Sequence, residues 1–298
     1  MQRVRYINPR FGEVEIRPDT QGPYVFESIS GIHAADTALR VTYPAGMDGS
    51  MYHGLTVSDR EITLTMHIKG RDRADMYKHR ERLIKVLSPS YSARGRQGQL
   101  WYENDHGRWW IPAVVSQGPI VAGARKGNYQ TVQIVFYCAD PDFRMPYPIR
   151  ARQAYIAGGF EFPLEIPHIT EPTPGIMFGT RGYRAVIDII GDRPTPIEIT
   201  ITGPATTPKV ENKRTGEYIA VNQPLLEGDR LTIGTEQGNK RAVIVDSADV
   251  ETNAMGWIDP ASTWFQLQPG ENEIEYTSGD DTTTATSVIT VWPRVSGV

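Results

Sequence analysis

Reactive chemistry in this chain would have to come from a short set of residues. Cys138 is the single cysteine, so no internal disulfide can form. A thiol becomes a nucleophile when a histidine or cation lowers its pKa. Cys138, however, shares the alternation parity of Ile134 and Phe136, which predicts a buried and inert thiol. Asp140 and Asp142 resemble a paired-carboxylate site, but they flank Pro141 at a strand end, where turn formation accounts for them. Asp280 and Asp281, followed by Thr282 to Thr284, could offer oxygens to Ca²⁺ or could simply tip a solvated hairpin. The histidines at 33, 53, 67, 79, 106 and 168 never fall in HxH or HxxxH spacing, and there is no CxxC. His67 and His79 read as surface residues. No Walker sequence and no GxGxxG following a strand is present. The expectation is no catalytic residue, no cofactor and no metal.

Four tryptophans are more informative. Trp109 and Trp110 are adjacent, and neighbours on a strand point to opposite faces. Only one can enter a given core. The other belongs to a second local cluster under a loop or to a subunit interface, where tryptophan is a common anchor. Trp257 and Trp264 could stack on a sugar or could fill a core.

Positioning these residues falls to strands. With 298 residues the chain is long enough for two domains. Its 28 glycines and 22 prolines suit a many-stranded protein rich in turns. Ile62, Leu64, Met66 and Ile68 alternate with polar residues, as do Val132, Ile134, Phe136 and Cys138. Leu39, Val41 and Tyr43 give a shorter version, and all three runs are expected to be half-buried strands. One helix is predicted, capped by Asp72, running from Arg73 to Leu87 and stopped by Ser88-Pro89. Its apolar stripe is Met76, Leu83, Ile84 and Leu87. The second half shows no convincing helix. Strands around Ile197–Ile201, Leu231–Ile233, Ile274–Tyr276 and Val288–Trp292 recur with the turn spacing of an antiparallel sandwich.

Seven prolines between 141 and 174 exclude central strands there and predict a linker. Charge differs across it. Residues 1–150 carry 20 Lys+Arg against 15 Asp+Glu, whereas residues 151–298 carry 11 against 20. The net charge of −4 argues against general nucleic-acid affinity. No run approaches a membrane span, and the opening residues lead into no apolar export signal, so a protein made in a reducing compartment is expected.

These residues assemble into a familiar order. Asn8-Pro9-Arg10-Phe11-Gly12, Asp59 to Ile62 leading to Gly70, Gly98 to Tyr102, and Phe136 to Pro141 resemble siphophage tail components. In the second half, Ile199 to Gly203, Val210 to Asn212 with Thr215-Gly216, and Leu267 to Tyr276 continue the match. Over nearly the whole chain the sequence is similar to the distal tail protein (Dit) family of long-tailed phages. That resemblance implies a mainly β fold: a β-sandwich or split-barrel belt domain with one helix at 1–145, a proline-rich linker at 146–165, and a galectin-like antiparallel sandwich at 166–298. It further implies a hexameric ring joining the tail tube to the baseplate or tip, assembled in the bacterial cytoplasm and carried at the distal end of the virion tail. Implied partners are the chain itself, the tail tube protein, a tail-tip or hub protein and a receptor-binding protein. Trp109 and Trp110 are the candidate ring contacts. The alternative is a lectin-like protein using Trp257 or Trp264, although the His-x-Asn-x-Arg and Trp-Gly-x-Glu segments of a galectin site are absent.

Overall fold

The computed structural model describes residues 2–19, 21–88, 97–121, 127–154, 184–279 and 285–298. Pro163, Pro167, Pro172, Pro174 and His168, most of the expected linker, and the Asp280–Thr284 segment lie outside the described residues. The chain forms two compact units, Met1–Pro146 with Arg294–Val298, and Tyr147–Pro293.

The strands of the first unit are Arg3–Asn8 (β1), Gly12–Ile16 (β2), Tyr24–Ser30 (β3), Thr37–Thr42 (β4), Met51–Val57 (β5), Arg60–Lys69 (β6), Gly98–Glu103 (β7), Arg108–Val121 (β8), Tyr129–Cys138 (β9) and Phe143–Arg144 (β10). Seven of them pair in the order β2-β1-β7-β8-β9-β6-β3. The two ends of this sheet meet: Arg17 bridges Val25, and the Phe26 N–H donates to the Arg17 carbonyl at 2.7 Å. The sheet therefore curls into a barrel. Alternation fills it as expected, with Ile62, Leu64, Met66 and Ile68 facing Val132, Ile134, Phe136 and Cys138 inside one core. Full burial of each such aliphatic side chain contributes roughly 1.5–3 kcal/mol.

The helix, Arg73–Val86 (α1), packs on β6, β2 and β8. Asp72 caps it by accepting from the Asp75 N–H at 2.8 Å. Its buried stripe is Met76, Leu83, Val86 and Leu87, whereas Ile84 faces solvent. Three of the four expected stripe residues are thus buried, and Val86 takes the barrel side in place of Ile84. Asn8 secures the far end. Its amide donates to the carbonyls of Val86 and Ser88, and its side-chain oxygen accepts from the Arg10 and Phe11 N–H groups. One side chain thereby closes both the β1–β2 turn and the end of the helix.

One expectation fails in this unit. Leu39, Val41 and Tyr43 alternate, yet β4 pairs only with β5 in a separate two-stranded sheet, and Leu39 and Tyr43 are exposed. Alternation reports that one strand face is apolar, not that the same chain covers it.

The second unit contains Ile149–Ala154 (β11), Arg184–Ile189 (β12), Thr195–Thr202 (β13), Lys209–Asn212 (β14), Tyr218–Ala220 (β15), Arg230–Gly234 (β16), Arg241–Val245 (β17), Glu251–Asn253 (β18), Gln266–Leu267 (β19), Gly270–Thr277 (β20) and Thr286–Val291 (β21). Sheets β11-β21-β13-β16-β17-β18 and β12-β20-β14-β15 enclose one core that includes Ile199, Ile233, Ile274, Tyr276 and Ile289. This is an antiparallel sandwich. The stretch expected as linker begins as strand: β11 pairs with β21 from Ile149 opposite Val291 to Ala154 opposite Thr286. Pro146 and Pro148 precede the strand, where a missing N–H costs no ladder bond.

The last strand, Arg294–Val295 (β22), returns to the first unit and pairs with β10, Phe143 opposite Val295. Both chain connections of the second unit therefore lead into the first.

Candidate functional site

Cys138 closes β9 inside the barrel core, and burial pushes its thiol up to about 12, aided by Asp140 and opposed by Arg60. It is protonated at neutral pH and no nucleophile. Asp140 and Asp142 are not a catalytic pair either. Asp140 accepts from Arg144 at 2.9 Å and lies 3.0 Å from Arg294, while Asp142 lies 3.8 Å from Arg294. The two carboxylates hold the returning C-terminal segment. Arg60 completes this latch: its guanidinium donates to the carbonyls of Gly31 (3.1 Å), His33 (2.7 Å) and Ser296 (2.6 Å) and lies over the Phe143 ring. Burial pulls its pKa below the ordinary arginine value. Neither Arg60 nor Arg294 was singled out from sequence. The visible signal was Asp140-Pro141-Asp142, whose carboxylates turned out to have partners 154 positions away.

His67 also differs from expectation. It is only 17% exposed in its side chain, lies 3.1 Å from Glu27, contacts the Thr131 hydroxyl at 3.0 Å and stacks near Tyr129. His79 sits on α1, 3.5 Å from Asp75 and edge-on to Tyr24.

Trp109 and Trp110 face opposite ways on β8. Trp109 packs against the barrel core, with the His106 ring beside it. A Cβ at Gly107 would come within 2.7 Å of the Trp109 ring, so any larger residue there would have to displace that ring. Trp110 lies on the outer face, its ring 6.0 Å from that of Trp101 across the β7–β8 pair. Arg144 covers Trp110 at 4.8 Å, and Arg108 and Arg5 lie over Trp101 at 4.7 and 5.7 Å. Cation and ring alternate along this face, each pair contributing roughly 0.5–1 kcal/mol. An open cleft of about 280 Å³ borders it, lined by Arg3, Arg5, Glu15, Trp101, Glu103 and Arg108.

Trp257 and Trp264 both pack against the core of the second unit, and Lys240 lies 5.8 Å over Trp264. Among the described residues no three His, Cys, Asp or Glu side chains gather to hold a metal ion, and no helix is long and apolar enough to cross a membrane.

Among the described residues the geometry presents surfaces of aromatic and charged side chains, and comparison with known proteins gives them a family. Residues 15–138 match the family described as phage tail protein RIFT-related domain, and residues 190–289 match that described as siphovirus-type tail component, C-terminal domain. The chain belongs to the siphophage distal tail protein family. It is a structural component of a phage tail. No curated protein matches the sequence. Solved structures give the same fold at low identity. The Dit protein of phage SPP1, described as a paradigm of the hub adsorption apparatus of phages infecting Gram-positive hosts, superposes with a TM-score of 0.63 at 13% identity over 98% of both chains. Chains of the phage P2 baseplate in its activated conformation, with calcium or with strontium, give TM-scores of 0.58 and 0.59 at 11% identity over the full length of both chains. The sequence-level fold class, mainly β with one α-helix among the described residues, stands.

Proposed function

We propose that this tail component closes into a hexameric ring that joins the tail tube to the baseplate or tip and seats host-adhesion components. The observation that carries the reading is the placement of the two family matches. The RIFT-related match falls in the barrel unit and the tail-component match in the sandwich unit, so each unit has its counterpart in the family. A closed cyclic assembly hides every copy of a heterologous interface. In this reading residues 1–146 with 294–298 build the ring, Trp110 with its arginine neighbours being a contact candidate and Trp109 a support behind it. Residues 147–293 take no part in the ring contacts, which the acidic surplus of the second half favours, since like charges packed side by side repel.

The partners are further copies of the chain, the tube protein, a tip or hub protein and a receptor-binding protein. The protein is not an enzyme and uses no cofactor. Its lone thiol suits assembly in the reducing bacterial cytoplasm. A lectin-like role would need Trp257 or Trp264 as an open stacking face, and their packing on the core favours the ring reading instead. Light scattering and negative-stain imaging of the full chain test it. Six-fold rings with a central hole are expected; a monomer at all concentrations would overturn the proposal, as would turnover of cell-wall glycan that vanished on changing one carboxylate.

A further inference from the structure

Helix α1 carries a second stripe, on the side away from its buried residues. Tyr77 and Ile84, two turns apart, are 39% and 42% exposed there. Arg80 stands between them in sequence and lies over the Tyr77 ring at 5.9 Å. Lys78, Arg82 and Lys85 are exposed beside them. The ion pair on α1 joins His79 to Asp75. Among the described residues Lys78, Arg80, Arg82 and Lys85 enter none, although Glu81 stands at helical spacing from Lys78 and Lys85. The sandwich differs: Arg184, Lys209, Lys213 and Arg241 each lie within 3.0 Å of a glutamate. The helix dipole favours a cation in the last turn, which accounts for Lys85 and not for the others. Exposed tyrosine and isoleucine flanked by uncompensated arginines and lysines have the composition of an interface.

We infer that this outer face of α1 docks an acidic surface of a different protein, with Tyr77 and Ile84 at the centre of the contact and the cations at its rim. Charge selects the partner. Residues 71–102 hold eight Lys+Arg against three Asp+Glu, while the remainder of residues 1–150 holds twelve of each. The whole basic surplus of the first half therefore belongs to the helix and the stretch that follows it. The barrel half has no acidic surplus to offer the helix of a neighbouring copy, so a ring neighbour is a poor match. A long nucleic acid is a poor match as well. Outside 71–102 the chain carries 23 Lys+Arg against 32 Asp+Glu, which repels an extended polyanion. A folded acidic surface meets the helix alone, and complementary charge both steers and specifies such an encounter. The inference goes beyond the ring reading and does not depend on it, because the face is complete in a single copy.

The test uses the full chain, K78Q/R82Q/K85Q, I84S, and R10Q/R40Q/K69Q, which loses equal charge elsewhere on the first unit. The probe is a labelled glutamate-rich helical peptide with leucines on one face, titrated by fluorescence anisotropy. The wild type and R10Q/R40Q/K69Q should bind it alike, and more weakly as salt rises. K78Q/R82Q/K85Q should lose about 10-fold in affinity and most of the salt dependence, and I84S about 5-fold. Both should melt as the wild type does, because these side chains are exposed in the single chain. A wild type that leaves the peptide free, or a control that loses as much as K78Q/R82Q/K85Q, overturns the inference. Tighter binding of duplex DNA than of the peptide also overturns it. So does loss of self-assembly in K78Q/R82Q/K85Q, which would give the face to another copy. A chain that binds the peptide but never assembles overturns the ring and leaves the helix face standing.

Discussion

Arg60 donates to the carbonyl of Ser296 at 2.6 Å, joining residues 236 positions apart. The same guanidinium also satisfies Gly31 and His33, so a single buried cation organises the strand that opens β6, the loop after β3 and the returning C-terminal segment. Removing it takes the donor from three carbonyls in part-buried hydrogen bonds, and a hydrogen bond to a charged group contributes about 1.5–3 kcal/mol. Arg60→Ala should therefore destabilise the first unit by about 3 kcal/mol, read from denaturant unfolding. Deleting 294–298 should cost a similar amount, and the two changes together less than their sum, because both break one network. Full additivity would show that the latch is not a unit.

Trp109→Ala and Trp110→Ala should separate in effect. Trp109 backs the core, so its loss should lower the melting temperature, by an amount typical of about 3 kcal/mol for a large aromatic. Trp110 sits outside among Trp101 and Arg144, and its loss should leave melting nearly unchanged while weakening self-association by about 2 kcal/mol. Equal losses of melting temperature with no change in association would remove Trp110 from the interface.

The sandwich should be acid-sensitive. Lys209 and Lys213 hold the Glu211 carboxyl below its usual range, and Arg184 and Lys213 do the same for Glu275. A depressed folded-state pKa gives stability that is complete above the unfolded value, near 4.5, and is lost as pH falls through the folded value. Thermal melting should thus decline below about pH 4.5, and Glu211→Gln should flatten that decline. High salt should also blunt it, because these pairs lie near the surface.

A fragment ending at residue 146 lacks β22, the partner of β10. Residues 1–146 joined to 294–298 through a short polar turn should fold and carry ring assembly, since Arg144 already faces Arg294 across a hairpin-like pair. Residues 147–293 alone should stay monomeric. Light scattering decides the matter: an oligomeric 147–293 beside a monomeric barrel fragment would reverse the assignment.

The elements legible in sequence were those whose cover lies in their own chain. β6, β9 and β13 alternate, and the barrel and sandwich cores receive Leu64, Ile134 and Ile199 as the alternation requires. Asp72 announced the helix because its cap is three residues from its target. β4 misled because Leu39 alternates correctly but is not covered by any of the described residues. The latch was hidden for a different reason. Asp140 and Arg294 signal nothing singly, and only tertiary pairing brings them together. Trp109 and Trp110 were separable by strand geometry alone, whereas the arginines that cover Trp110 and Trp101 come from three separate stretches of chain, at positions 5, 108 and 144.

The sandwich is an insertion: the chain leaves the barrel at Pro146 and re-enters at Arg294, with β10 paired to β22 on one side of the crossing and β11 to β21 on the other. Mechanically, a pull on the sandwich reaches the barrel through two covalent strands in parallel. Each bears only part of the tension, and each is backed on the barrel side by the Arg294 carboxylate clamp. A single tether would transmit the whole force through one backbone. Two connections divide that load between two backbones.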